Sequence, residues 1–559
     1  MKEQWIKISQ LHLPVDHREE DLKSRAASAL RIAESGIAKL MILRQSLDAR
    51  KKTEIEFSYE LAVRLAKGVM PKGRPNGRWE VYTPVEYSLP ECGSTKLTAG
   101  PVVIGAGPAG LFAALSLAEK GYRPIVIERG KAIEDRAADV EKFFATGVLD
   151  PNSNVQFGVG GAGAFSDGKL NSLIKDREGR GRHILKTFVR FGAPGEIVYK
   201  NKPHVGTDRL RTVVAGMQDE ICRLGGTFLT ETTVTGFVWE HGRLSALRVA
   251  DRNGEREIRT DVAVLAIGHS ARDTVATLAE AGLAMEPKAF AMGVRVQHKR
   301  EFIDRTQYGE FADKLPAADY KVTHTCKSGR GVYSFCMCPG GFVVNASSEP
   351  GRLAINGMSN YDRAEENSNS AIVVTVSPEE YIADYERLRA SRPEFSETPH
   401  ASEIRPALLG MEYQRRLEEA AFSAGEGRIP TQTFADYLAK RPSTGCGSVA
   451  PVNKGDVTYT ELHSCLPQYM ADDIEEGMLA FDRKMPGFGD GDVLLQAIES
   501  RTSSPVRIRR DETLQAEGRP GLYPCGEGAG YAGGILSAAV DGLRIAEVLI
   551  AKYAPASVQ

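Results

Sequence analysis

Between residues 101 and 130 the chain reads PVVIGAGPAGLFAALSLAEKGYRPIVIERG, a spacing of glycines and one acid suited to a dinucleotide. Gly105, Gly107 and Gly110 fit G-x-G-x-x-G. The first lets a strand turn sharply. The second leaves no side chain between backbone and pyrophosphate, and the third lets the next helix lie close to the strand. Pro108 and Ala109 open that helix, whose free N–H groups and positive dipole end suit phosphate. Residues 123–127 read as a second strand. Glu128 ends it, placed to accept hydrogen bonds from ribose hydroxyls, and Arg129 follows. Strand, turn, helix, strand and acid occur in that order, which a chance glycine turn does not require.

A second constellation selects the dinucleotide. Residues 521–548 read GLYPCGEGAGYAGGILSAAVDGLRIAEV. A short strand leads into a loop carrying Gly526 and Glu527, and Gly533-Gly534 then opens an apolar helix at Ile535. FAD is long enough to need this second cradle. The acid suits ribityl hydroxyls, and the helix N-terminus suits the flavin N1–C2=O edge, where negative charge develops on reduction. Residues 260–268, TDVAVLAIG, read as the strand that closes such a domain, with Gly268 and His269 beside the adenine or ribityl part. Gly160, Gly161 and Gly163 form a small-residue surface able to lie against pyrophosphate or flavin. The expected cofactor is non-covalent FAD. No second G-x-G-x-x-G has its own strand, helix and acid, so NAD(P)H is expected only as a transient visitor.

Catalytic candidates follow from position. Lys169, after the glycine-rich segment, is placed to guide hydride transfer near flavin N5 or a substrate carbonyl. Cys336 and Cys338, in FCMCPGG, admit two readings. One is a redox-active thiol pair. The other, favoured because a C-x-C disulfide is strained, is packing at a strand end before a Gly-Gly turn. No metal site is expected, because no second Cys/His pair has ligand spacing. Cys525 and the glycine-rich loop at 443–448 are further candidates for the cavity wall.

Four segments carry a resemblance: NVQFGVGGAGAFSDGKLN (154–171), FCMCPGG (335–341), GHSARDT (268–274) and SLDARKK (46–52). Together the chain, from about residue 6 to 550, resembles a family of uncharacterised bacterial FAD-dependent dehydrogenases in the glutathione-reductase-like flavoprotein superfamily. The resemblance implies FAD and an oxidoreductase activity. It implies no substrate.

The elements that must position these residues suggest several units, as 559 residues require. Residues 1–95 read as a small α/β module, taken as a ferredoxin-like sandwich, with strands at 5–13, 37–46 and 53–57 and helices at 19–35 and 59–67. A Gly/Pro-rich stretch at 70–76 leads to a linker. Residues 96–285 and 500–559 read as a Rossmann-like FAD domain of the ββα type, with hairpin turns at Gly242 and Asn253-Gly254. Residues 286–499 read as an inserted α+β substrate-side domain. The fold class is therefore α/β.

Composition narrows the function classes. A net charge of −2 gives no global field for nucleic acid or anionic lipid. No apolar run reaches the ~18 residues of a membrane span, and the N-terminus shows no signal-like apolar core. Eight scattered cysteines suit a reducing cytoplasm rather than a disulfide framework. The leading expectation is an FAD-dependent dehydrogenase or reductase acting on a small molecule. Two alternatives remain: an aromatic-hydroxylase-like monooxygenase using transient NAD(P)H, and a flavin-bound RNA-binding or assembly protein acting through Arg50, Lys51 and Lys52.

Overall fold

The computed structural model describes residues 4–72, 78–171, 176–391 and 406–555. The Gly/Pro-rich stretch expected at 70–76 lies, from residue 73 on, outside them.

The N-terminal module is a four-stranded antiparallel sheet in the order Ile37–Asp48, Glu56–Leu65, Trp5–Pro14, Trp79–Tyr82, with one helix, Glu19–Leu30, against it. The helix expected at 59–67 is instead most of the strand Glu56–Leu65. Tyr59, Leu61, Val63 and Leu65 alternate into the module's core, and both edges of the strand are paired. The segment also satisfies helical spacing, and pairing with two neighbours decides between the periods. With one α-helix rather than two among its described residues, the module departs from the ferredoxin-like pattern. Of the three cations behind the RNA reading, Arg50 pairs with Asp48 at 2.6 Å and Lys51 with Glu54 at 3.5 Å. The module is tied to the next domain through backbone hydrogen bonds of Gln45 with Tyr199 and Asn201.

The nucleotide domain is a parallel five-stranded sheet in the order Leu522–Pro524, Ala263–Leu265, Val102–Ile104, Ile125–Ile127, Thr227–Leu229. Its strands alternate their side chains between two cores. Val103, Val126 and Val264 meet the helices Pro108–Glu119, Thr207–Arg223 and Ile535–Lys552. Val102, Ile104, Ile127 and Leu265 meet a three-stranded antiparallel meander, Thr233–Glu240, Arg243–Asp251 and Gly254–Arg259. From Val102–Ile104 the chain first builds outward on one side and later on the other. The carboxyl end of that strand is thus a topological switch point, where ligands bind in open α/β sheets.

The chain leaves this domain through Met285–Pro287 and returns through Val506–Ile508, which pair antiparallel. Between them lies a seven-stranded sheet with Asn367–Val376, Phe290–Lys299 and Leu494–Glu499 at its centre. Met292, Val294 and Val296 face an apolar core that includes helix Gln468–Lys484. Arg295 and Gln297, which alternate with them, are equally buried, hydrogen-bonded to Asn356, Asn369 and Glu499 and to Gln496 and Asn453. No helix among the described residues is long and apolar enough to cross a membrane.

Candidate functional site

A cavity of about 580 Å³ opens at the switch point and runs from Gly105, Gly107 and Glu128 to Lys169, Cys336 and Glu527. This volume is ordinary for a cofactor or ligand site.

At its first end the glycine turn is dictated by contact. Gly105 has φ +98, and a Cβ there would stand 2.3 Å from the Ala266 carbonyl oxygen; one on Gly110 would stand 1.9 Å from the Gly105 carbonyl oxygen. The helix Pro108–Glu119 begins at Gly107 without a side-chain cap, leaving its first N–H groups available. The loop containing Gly161 passes directly over Gly107, since a Cβ on Gly161 would come within 2.9 Å of the Gly107 Cα.

Glu128 is a structural junction as well as a cavity-lining acid. Its Oε1 accepts from the N–H groups of Gly130 and Gly158, and its Oε2 from that of Ala106, each at 2.9 Å. The carboxylate therefore joins strand end, glycine turn and glycine loop, and what remains of Oε2 is left for a ligand. Arg136 completes the arrangement. Fully buried on helix Ile133–Thr146, it donates to the carbonyls of Asn154, Val155, Gly158, Val159 and Gly161 at 2.9–3.2 Å. Burial lowers it to about 9, with Glu128 opposing the shift, so it stays a cation at neutral pH.

At the far end helix Ile535–Lys552 starts at Gly534, again without a side-chain cap. Gly533 and Gly534 have no heavy atom within 4 Å of a built Cβ. Glu527 stands 3.6 Å from His269. Burial pushes Glu527 up to about 7, against Lys288 and with a small addition from Cys336. Burial, helped by Arg501 and Arg272, lowers His269 to about 3, so the ring is neutral. His269 Nε2 is buried without a hydrogen-bond partner. Two uncapped helix N-termini, open glycines and one orphaned ring nitrogen on one cavity fit a long, anionic, hydrogen-bonding cofactor.

The third corner joins three distant segments. Lys169 Nζ donates to the Met337 carbonyl, lies 3.5 Å from Asp167 Oδ2 and 3.9 Å from Cys338 Sγ. Burial opposes its charge, yet Asp167 and the two thiols raise Lys169 to about 12, so it is a fixed cation and not a base. Asp167 is itself held by Arg363 at 3.0 Å and by the Ser359 hydroxyl at 2.6 Å. Arg295 Nη1 reaches the Cys336 carbonyl at 3.2 Å and Cys338 Sγ at 4.0 Å, and its other nitrogens grip Glu499 at 3.0 Å. All eight cysteines are free thiols.

Of the residues singled out from sequence, Gly105, Gly107, Pro108, Ala109, Glu128, Arg129, Gly161, Gly163, Lys169, Gly268, His269, Cys336, Cys525, Glu527, Gly533, Gly534 and Ile535 line this cavity. Gly110, Gly160 and Gly526 pack behind its wall, where a Cβ would strike Gly105, Ala164 and Ala109 respectively. Cys338 also lies behind it, fully buried. Sequence reasoning passed over Arg136, Arg295, Glu499 and Arg501. It also passed over Glu418, whose carboxylate takes two hydrogen bonds each from Arg272 and Arg501 at 2.8–3.0 Å and so ties the inserted domain to the nucleotide domain. Breaking such a buried group costs about 3–5 kcal/mol. His324, Cys326 and Glu476, whose spacing suggested no metal, also come together, with ligand atoms within 4.8 Å. Each is already hydrogen-bonded within the protein.

Three family descriptions match the chain: a domain of unknown function over residues 5–64, an FAD binding domain over 101–153, and "FAD-dependent protein, C-terminal domain-like" over 289–502. An uncharacterized protein of Clostridium beijerinckii is 43% identical over 554 residues, covering 98% of this chain and 99% of that one. Among solved structures, a geranylgeranyl bacteriochlorophyll reductase-like protein of Thermoplasma acidophilum is 12% identical, over 81% of this chain and 78% of that one, with a TM-score of 0.33. L-proline dehydrogenase from P. horikoshii is 12% identical, over 81% and 93%, with a TM-score of 0.31. Neither structural likeness is close enough to speak to chemistry.

Proposed function

This chain belongs to the family of that Clostridium protein, a family of FAD-dependent proteins, and we propose that it is a dehydrogenase or reductase moving a hydride between a small organic substrate and non-covalent FAD. The observation that carries this reading is the single cavity joining both glycine cradles to the corner of Lys169 and Cys336. Bound FAD supplies the two-electron chemistry. The protein's own residues bind and orient. The N-terminus of Pro108–Glu119 and the loop held by Arg136 receive the pyrophosphate. Glu128 meets the adenosine ribose, Glu527 and His269 the ribityl region, and Gly533 to Ile535 the flavin edge that gains negative charge.

In this reading residues 96–285 and 500–559 form the FAD domain and 286–499 the substrate side. Lys169 holds the substrate corner cationic, and Lys321, exposed on the cavity wall, offers a second ammonium. That pairing suits a substrate bearing a carboxylate.

The test begins with the purified protein, from which acid should release FAD. Recovery of no FAD, even after reconstitution, rejects the reading. Anaerobic titration with a metabolite panel, carboxylates first, should then bleach the flavin. Substrate-stimulated oxygen consumption driven by NADPH would favour the monooxygenase instead.

A further inference from the structure

We propose that the sulfur of Cys336 is the proton acceptor of this cavity, taking a proton from the substrate as its hydride leaves. The proposal rests on the FAD-dependent dehydrogenase reading and adds the residue that balances it. One substrate X–H or C–H bond breaks and an S–H bond forms on Cys336. The electron pair of a second, C–H, bond passes as hydride to bound FAD. The substrate is oxidised by two electrons, FAD is reduced by two, and the thiol later loses its proton to water. In the reducing direction the same thiol supplies the proton.

Backbone geometry puts this sulfur where it can act. The strand Gly331–Cys338 pairs regularly with Asn367–Val376 as far as Phe335, then slips before Cys338. Within the slip Cys336 takes φ +43, a left-handed conformation that L-residues adopt at a cost of about 1 kcal/mol or more. Such a bulge re-aims a side chain. Met337 enters the inserted domain's apolar core, Cys338 is buried behind the wall, and Cys336 lines the cavity. A cysteine there only to pack a strand end would not need this strained, cavity-facing position.

The surroundings suit a sulfur that alternates between thiol and thiolate. The neighbouring Cys338 thiol, which itself donates to the Cys336 carbonyl at 3.3 Å, and the charges of Lys169 and Arg295, whose nitrogens lie 3.9 and 4.0 Å from the Cys338 sulfur, outweigh burial and Asp167 and hold Cys336 well below the ordinary thiol range. Cys338 is pushed up by its neighbour Cys336 and by burial, and stays a thiol with its hydrogen on the Cys336 carbonyl. The negative groups facing this sulfur are Asp167, Glu499 and Glu527. Asp167 is neutralised by Lys169 and Arg363, and Glu499 by Arg295. Glu527 is the one competitor. It sits in the loop of the cofactor cradle beside His269, a position for holding the cofactor.

The proposal is tested on the FAD-loaded protein by brief iodoacetamide labelling from pH 5 to 9, with peptide mass spectrometry. Cys336 should label with a midpoint at least one pH unit below the ~8.5 of an ordinary thiol. The exposed Cys92 and Cys446 serve as references in the same sample. Lys169→Met should move the Cys336 midpoint upward by at least one unit, and Lys169→Arg should restore it, with FAD content unchanged. With a substrate that bleaches the flavin, kcat/KM should follow the Cys336 midpoint. Cys336→Ser should lower kcat by about 10²–10⁴-fold with an intact flavin spectrum. Glu527→Gln should leave the kcat/KM midpoint in place. An ordinary labelling midpoint in wild-type protein that carries FAD overturns the proposal whether or not the variants fold. A kcat/KM midpoint that vanishes in Glu527→Gln overturns it as well. Protein that carries no FAD instead fails the function reading, so the two failures are distinct.

Discussion

The ammonium of Lys169 stands 3.9 Å from the sulfur of Cys338, across 169 residues of chain, and donates to the carbonyl of the residue before it. This contact fastens the glycine-rich segment of the nucleotide domain to the bulged strand of the inserted domain. It makes this corner of the cavity a product of two distant segments of the chain.

Dithionite titration of the FAD-loaded protein should end at two electrons. Cys338 is buried behind the wall, and a C-x-C disulfide is strained, so the pair does not store a second electron pair. A four-electron end point that falls to two in the double Cys→Ser variant would contradict this.

Glu128→Ala should do more than weaken FAD binding. It removes three hydrogen bonds to a charged carboxylate, each worth roughly 1.5–3 kcal/mol. With relaxation and entering water we expect a net loss of about 2–3 kcal/mol, or a fall in Tm of the FAD-free protein of several degrees. FAD affinity by calorimetry should fall too. An unchanged Tm of the FAD-free protein would show that the three-way junction is not formed.

Arg136→Lys keeps the charge and loses the fork that reaches five carbonyls. The glycine loop over Gly107 should loosen. FAD retention through gel filtration should drop at least tenfold, and proteolysis should begin within residues 154–163. Full retention of FAD would show that the loop holds its shape without the guanidinium.

Glu527→Gln should give a pH-dependent stability difference in FAD-free protein. The folded pKa of Glu527 is raised from 4.5 to about 7. The folded state therefore favours its neutral form, and stability from this group is lost as pH rises from about 4.5 to about 7. Gln is neutral throughout, so the variant's Tm should exceed that of wild type at pH 8 and not at pH 5. His269, with folded pKa lowered to about 3, acts with the opposite sign: its contribution is lost as pH falls from about 6.5 toward 3. Comparing the two proteins at each pH cancels the His269 contribution. Equal Tm values at pH 8 would place Glu527 in water.

The sequence by itself determined the glycine turn, the acid after the second strand and the glycine-led start of the last helix. Each is a local property. Glycine alone tolerates φ +98 at Gly105, and a helix beginning at Gly107 or Gly534 exposes its N–H groups whatever lies elsewhere. Tertiary structure decided what local pattern left ambiguous or did not carry. Residues 59–65 satisfy both helical and strand spacing, and only pairing on two edges made them a strand. Cys336 and Cys338 look equivalent in sequence, yet a register slip against Asn367–Val376 sends one to the cavity and one behind it. Arg136, Arg295 and Glu418 have no motif, because their roles are set by burial and by partners up to 204 residues away. A buried charge is specified by the groups that surround it, and those groups meet only when the chain has folded.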